Sequence, residues 1–145
     1  MNPRDFQLIA MELLRGNRAV DFRTAIGRSY YAAYNVAVEI LKGMDFTISE
    51  GPQGHGEVRN RLHNSGDQDV EAMASELAEL RGKRIDADYR LQRRAVENGK
   101  TAQTLVTQAD KMIQIMDRCC SGPNREKIIK AIKAYEAKIS PSPTP

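Results

Sequence analysis

The chain has 145 residues, 41% of them apolar and 28% charged, with two cysteines and a formal net charge of +3. That length suits one domain with its own core and leaves no room for two ordinary ones. The charge is compatible with a nucleic-acid partner without arguing for one, and no apolar run approaches the roughly 18–20 residues of a membrane helix.

Helix signals dominate from the start. Asn2 is expected to cap a first helix with Pro3 at its first position. Gly16 ends it, and Phe6, Ile9, Leu13 and Leu14 share one face. Asp21 is expected to cap a longer second helix, from about Phe22 to Met44. Its stripe, Ile26, Tyr30, Ala33, Ala37, Ile40 and Met44, has the spacing of a bundle seam.

The stretch from Asp45 to Gly54 reads as a loop, and the Gly-Pro-Gln-Gly-His-Gly run at Gly51–Gly56 lacks the Gly-Lys-Ser/Thr ending of a phosphate loop. A short helix is expected from Gly56 to Asn64. Asp67 caps a fourth, with Val70 as its first apolar residue, to about Leu91. After a polar stretch ending in the turn signal Asn98-Gly99, a fifth runs from about Lys100 to Cys119 along Leu105, Ala109, Met112, Ile113 and Met116. A last helix, Asn124 to Ile139, sets Ile128, Ile132, Tyr135 and Ile139 opposite lysines, and Ser140–Pro145 is expected to be a disordered tail. The fold class expected is all-α, an up-down bundle of four to five helices plus a C-terminal helix, one domain over residues 1–139.

Cys119 and Cys120 are neighbours. Their Cα atoms lie about 3.8 Å apart, too close for ordinary disulfide geometry. Two small residues ending a helix is the plain reading; a redox or soft-metal pair is the other. With no secretory layout in Met1–Asp5, the expected location is a reducing cytoplasm. His55 and His63 are the two histidines, and no HExxH or CxxC accompanies them, so no metal and no cofactor are expected. Either could serve as a lone acid or base if the fold carried it to arginines.

The fourth helix breaks its own pattern. Val70, Met73, Leu77 and Leu80 continue in register to Arg84 and Ala87, so a guanidinium falls on the seam. Arg81 and Asp88 flank it, and Asp88 stands four residues after Arg84, at ion-pair spacing. A charge on a buried stripe is costly unless it is paired or opens into a cleft. Both readings stand here: a polar site, or a structural pair near a helix end. On the second helix Arg23 and Arg28 precede Tyr30, Tyr31 and Tyr34, and basic groups beside aromatics can hold phosphate and stack on bases.

Two stretches carry a resemblance. Arg23-Thr24-Ala25-Ile26-Gly27-Arg28-Ser29-Tyr30-Tyr31-Ala32-Ala33-Tyr34 resembles the arginine-led Tyr-Tyr-Ala-Ala segment of HEPN proteins. Leu80-Arg81-Gly82-Lys83-Arg84-Ile85-Asp86-Ala87-Asp88-Tyr89 is similar to the Arg-x-x-Ala-Asp-Tyr element of a small stand-alone prokaryotic branch of that family. The likeness covers roughly Arg4 to Met116. It implies a bundle paired as a homodimer, with RNA or a nucleotidyltransferase as partner in a toxin–antitoxin-type system. It points to Arg28, Arg81, Arg84 and Asp88 as binding residues.

Many active members of the family are metal-independent ribonucleases whose motif is an arginine, four to six intervening residues, and then a histidine. Here the count from Arg84 arrives at Tyr89, and no histidine follows either arginine. Tyrosine titrates near 10 and aspartate near 3.9, far from the range where imidazole moves protons. Arg84 and Tyr89 are the catalytic pair if cleavage occurs; weak or absent cleavage is the expectation. A non-catalytic interaction module is the remaining alternative.

Overall fold

The computed structural model describes residues 1–139, so the tail expected at residues 140–145 lies outside the described residues. Of these residues 81% are helical, in six α-helices and two short 3-10 segments with no strand among them, as an all-α bundle requires. The helices are α1 (Arg4–Leu13), α2 (Ala19–Gly43), α3 (Gln53–His63), α4 (Gln68–Tyr89), α5 (Gly99–Cys120) and α6 (Arg125–Ile139). Short 3-10 turns at Leu14–Gly16 and Arg94–Glu97 follow α1 and precede α5. No helix among the described residues is long and apolar enough to cross a membrane.

Local capping explains most boundaries. Asp67 Oδ1 accepts from the Asp69 and Val70 amides at 3.0 and 3.1 Å, starting α4. Asn98 Oδ1 accepts from Lys100 and Thr101 at 2.8 and 3.2 Å, so Asn98-Gly99 starts α5 instead of forming a turn. Asn2 Oδ1 accepts from the Arg4 amide at 3.0 Å, and Pro3 stands at the cap, one place earlier than expected. Asp21 is not the cap of α2. It is three residues in and reaches back to the Arg18 amide at 3.2 Å while its carboxylate takes the Arg18 guanidinium.

Helix α2 is the hub, packed against α1, α4 and α5. Ala25, Ile26, Ala32, Ala33, Val36 and Ala37 are fully buried, and small side chains around the helix let three neighbours come close. The expected face of α1 is rotated: Ile9 is 45% exposed, whereas Gln7 and Ala10 are buried. Two contacts turn it: Ala10 packs with Ala25 and Val106, and the Gln7 amide donates to the Val106 carbonyl at 2.9 Å. On α4 the stripe Val70, Met73, Leu77 and Leu80 is buried as expected. Each such side chain contributes about 1.5–3 kcal/mol on burial. Helix α6 covers this core with Ile128, Ile129 and Ile132, but Ile139 is exposed. Arg61–Glu136 and an Arg125 hydrogen bond to the Gly43 carbonyl hold α6 down.

Candidate functional site

The site forms where the α4 stripe stops being apolar. Beyond Leu80 comes Arg84, whose side chain is a quarter exposed, with Nε 2.9 Å from Asp88 Oδ2. The next residue on the seam, Ala87, is buried again. Asp88 fits under α2 because residue 27 is glycine: a Cβ there would stand 2.7 Å from Asp88 Oδ1. The Arg84 guanidinium lies 5.9 Å from the Tyr30 ring centre and 5.3 Å from that of Tyr89. One of its terminal N–H groups is 3.4 Å from the Tyr89 hydroxyl, and Tyr89 itself is largely exposed.

Helix α3 completes the site and departs from the sequence reading. The glycine-rich run expected as a loop becomes helical from Gln53, which puts His55 in the first turn. Gly54 makes this possible. A Cβ at that position would meet the Ser49 carbonyl oxygen at 2.4 Å and the Tyr34 hydroxyl at 2.6 Å, so only glycine lets the helix seat against Tyr34. The His55 ring then stacks on Tyr34 with centroids 4.2 Å apart, and stands 5.7 Å from Tyr30. His55 Nδ1 and the Tyr30 hydroxyl are hydrogen-bonded.

Electrostatics follow from burial and from the two α4 arginines. Burial pushes the Tyr30 hydroxyl well above the usual tyrosine range, against the pull of Arg81 and Arg84. It also lowers the His55 pKa below 6.5, and Arg81 and Arg84 lower it further, so the imidazole is neutral at pH 7. Tyr30 therefore keeps its proton. Its hydroxyl and His55 Nδ1 share a hydrogen bond whose donor the imidazole tautomer sets.

Arg81 is the distinctive group. With Tyr30, Tyr34, His55, Arg59, Leu77 and Ala78 it lines a pocket of about 70 Å³. Its Nε is buried with no hydrogen-bond partner, unlike that of Arg84. Glu57 is held elsewhere: both its oxygens bond to Ser49, at 2.7 Å to the amide and 2.6 Å to the hydroxyl, and the cation acting on it is Arg61.

The remaining arginines of α2 serve elsewhere. Arg23 is buried and gives Nη1 to the carbonyls of Asp86, Ala87 and Arg90, Nη2 to those of Leu91 and Arg93, and Nε to Glu97. All five of its N–H groups are engaged at the end of α4, so it has none for a phosphate. Arg28 lies over the rings of Phe6 and Tyr31, at 5.7 and 5.3 Å, on the side of α1. It therefore stands apart from Arg81, Arg84 and Asp88. His63 ends α3, about 12 Å along the helix from His55.

Sequence reasoning put Arg81, Arg84, Asp88 and Tyr89 together and left His55 as a conditional addition; Arg59 it missed. The usable signal was the Gly-His pair facing the tyrosine run, legible only once Gly54 is known to meet Tyr34. A second group also escaped: Asp67, Asp69 and Cys119 have ligand atoms within 4.8 Å of one another, the set that could hold a cation. Asp67 is already the α4 cap and Asp69 lies 3.5 Å from Arg118. Cys119 and Cys120 are free and buried, and burial raises the Cys120 thiol to about 12, keeping it a thiol. In comparisons with known proteins, no family model, no curated protein and no solved structure matches the chain.

Proposed function

We propose that this chain is a HEPN-like protein of a two-component, toxin–antitoxin-type system, and that it binds RNA through the cleft between α2, α3 and α4. In this reading two copies pair, and a nucleotidyltransferase is the protein partner. The observation that carries the RNA reading is the buried, unpartnered Nε of Arg81 beside Arg59 and the Arg84–Asp88 pair. A guanidinium edge held without a partner costs free energy unless a ligand fills it, and planar oxyanions match its fork. Tyr89 adds an exposed ring with Arg84 against its face, a surface on which a base can stack.

The test is binding of short single-stranded RNA by fluorescence anisotropy at several salt concentrations. Arg81→Gln is expected to weaken binding and to make the logarithmic salt slope about 0.7 shallower, the loss of one phosphate contact. Arg84→Ala is expected to fold and bind weakly. No binding by the wild-type chain at low salt refutes the reading.

A metal-independent ribonuclease is the second reading, favoured by one observation: His55 reaches the α4 arginines from another helix. A general base becomes an imidazolium, and burial together with Arg81 and Arg84 opposes that charge on His55. Binding without fast cleavage is therefore the better-supported reading. Cleavage in chelator that His55→Ala abolishes would reverse that order.

A further inference from the structure

Resting on the RNA-binding reading, we infer that the α3–α4 pocket takes a phosphomonoester: the terminal phosphate of an RNA strand or of a free mononucleotide, not an internal phosphodiester.

Size is the first argument. At about 70 Å³ the pocket is far below the roughly 300–1,000 Å³ of sites that enclose a whole small molecule. It has room for a phosphate group and none for a nucleobase. An internal diester carries a nucleoside on each of two ester oxygens, and a space this small does not seat both flanking sugars. A terminal phosphate has one such attachment and three free oxygens.

Charge is the second. Arg59 and Arg81 line the pocket, and Arg84 borders it through Tyr30. Of the nearby carboxylates, Asp88 is paired with Arg84, and the cation acting on Glu57 is Arg61. A diester brings one negative charge, whereas a monoester brings close to two at neutral pH, its second pKa being about 6. The free cationic edge suits the second of these better.

Donor geometry is the third. The Arg81 side chain lines the pocket with an Nε that no protein group satisfies, and a guanidinium can bond two oxygens of one phosphate. The neutral His55 ring and the Tyr34 hydroxyl line the same space and add donors without adding charge. A nucleoside is favoured over a phosphopeptide as the attached group because Arg84 runs from Tyr30, a wall of the pocket, to the exposed ring of Tyr89, on which a base can stack.

The experiment uses the full chain and two short RNAs of one sequence, one ending in a 5′-monophosphate and the other in a 5′-hydroxyl, with AMP, adenosine and a phosphoserine peptide as competitors. The phosphorylated strand is expected to bind about tenfold or more tightly, since charge-assisted bonds to the added oxygens are the strong ones. AMP is expected to compete and adenosine not to. AMP competition without a difference between the strands assigns the pocket to free mononucleotides, which also supports a phosphomonoester site. Arg81→Gln is expected to erase the preference for phosphate while leaving residual binding of the 5′-hydroxyl strand. Equal binding of both strands with no competition by AMP overturns the inference and leaves the RNA reading standing. Failure of both strands and of AMP to bind sinks both. A phosphoserine peptide that competes as well as AMP overturns the nucleotide assignment.

Discussion

Replacing Arg23 with methionine keeps the apolar stem and removes the fork. In the native protein that fork bonds five carbonyls between Asp86 and Arg93 and the carboxylate of Glu97, at 2.9 to 3.3 Å. Its side chain is 9% exposed and that of Glu97 23%. Each carbonyl left buried without a donor costs about 1–3 kcal/mol, but Arg90, Leu91 and Arg93 are exposed and water can reach their backbone. The net loss is then set by the Ala87 carbonyl, which loses its donor, and by Glu97, which keeps only Arg94 at 3.5 Å; at about 1.5–3 kcal/mol for each hydrogen bond to a charged group this is about 3–5 kcal/mol. An unfolding entropy of about 2.1 cal/mol/K per residue gives about 0.3 kcal/mol/K for a chain of this size, so Tm should fall by about 10–16 °C. Differential scanning calorimetry of Arg23→Met measures it. Hydrogen exchange should show the loss of protection concentrated from Asp86 to Glu97. A fall of under about 3 °C would refute the view that this arginine clamps the end of α4.

Gly54→Ala should destabilise by about 1–2 kcal/mol. Overpacking against Ser49 and Tyr34 costs about 1–3 kcal/mol, and better helix propensity returns up to about 1. Gly82→Ala, whose added methyl meets open space, should be neutral or stabilising, and calorimetry of the pair separates packing from propensity. The depressed His55 pKa makes the unfolded state the better proton acceptor below pH 6.5, so stability should fall as pH drops through that value toward the folded pKa. His55→Gln should flatten Tm over that window; an unchanged slope would show that other groups dominate. Light scattering at micromolar concentration should give about twice the 16.2 kDa of one chain, and a clean monomer would remove the pairing of two copies from the proposal.

The α4 helix shows how far the local code reaches. Its cap at Asp67, its apolar stripe and the intrusion of Arg84 on that stripe all depend on residues within a few turns of one another, and all appear in the structure as expected. The start of α3 shows where it stops. Gly-Pro-Gln-Gly-His-Gly carries strong loop signals, yet the segment is helical from Gln53 because contacts with Ser49 and Tyr34 select a helix that only glycine permits there.

By itself the sequence determined the class, the number and approximate limits of the helices, and four of the residues that gather at the far end of α4. It could not say which arginine serves the fold and which is free for a ligand. Arg23 and Arg81 look alike in the sequence, but one meets the carbonyls at the end of α4 and the other a small pocket under α3. That distinction, like the rotated face of α1 and the arrival of His55 beside the arginines, rests on contacts between residues far apart in the chain. Spacing along one helix carries no information about them; only the packing of α1, α3 and α4 around α2 decides them.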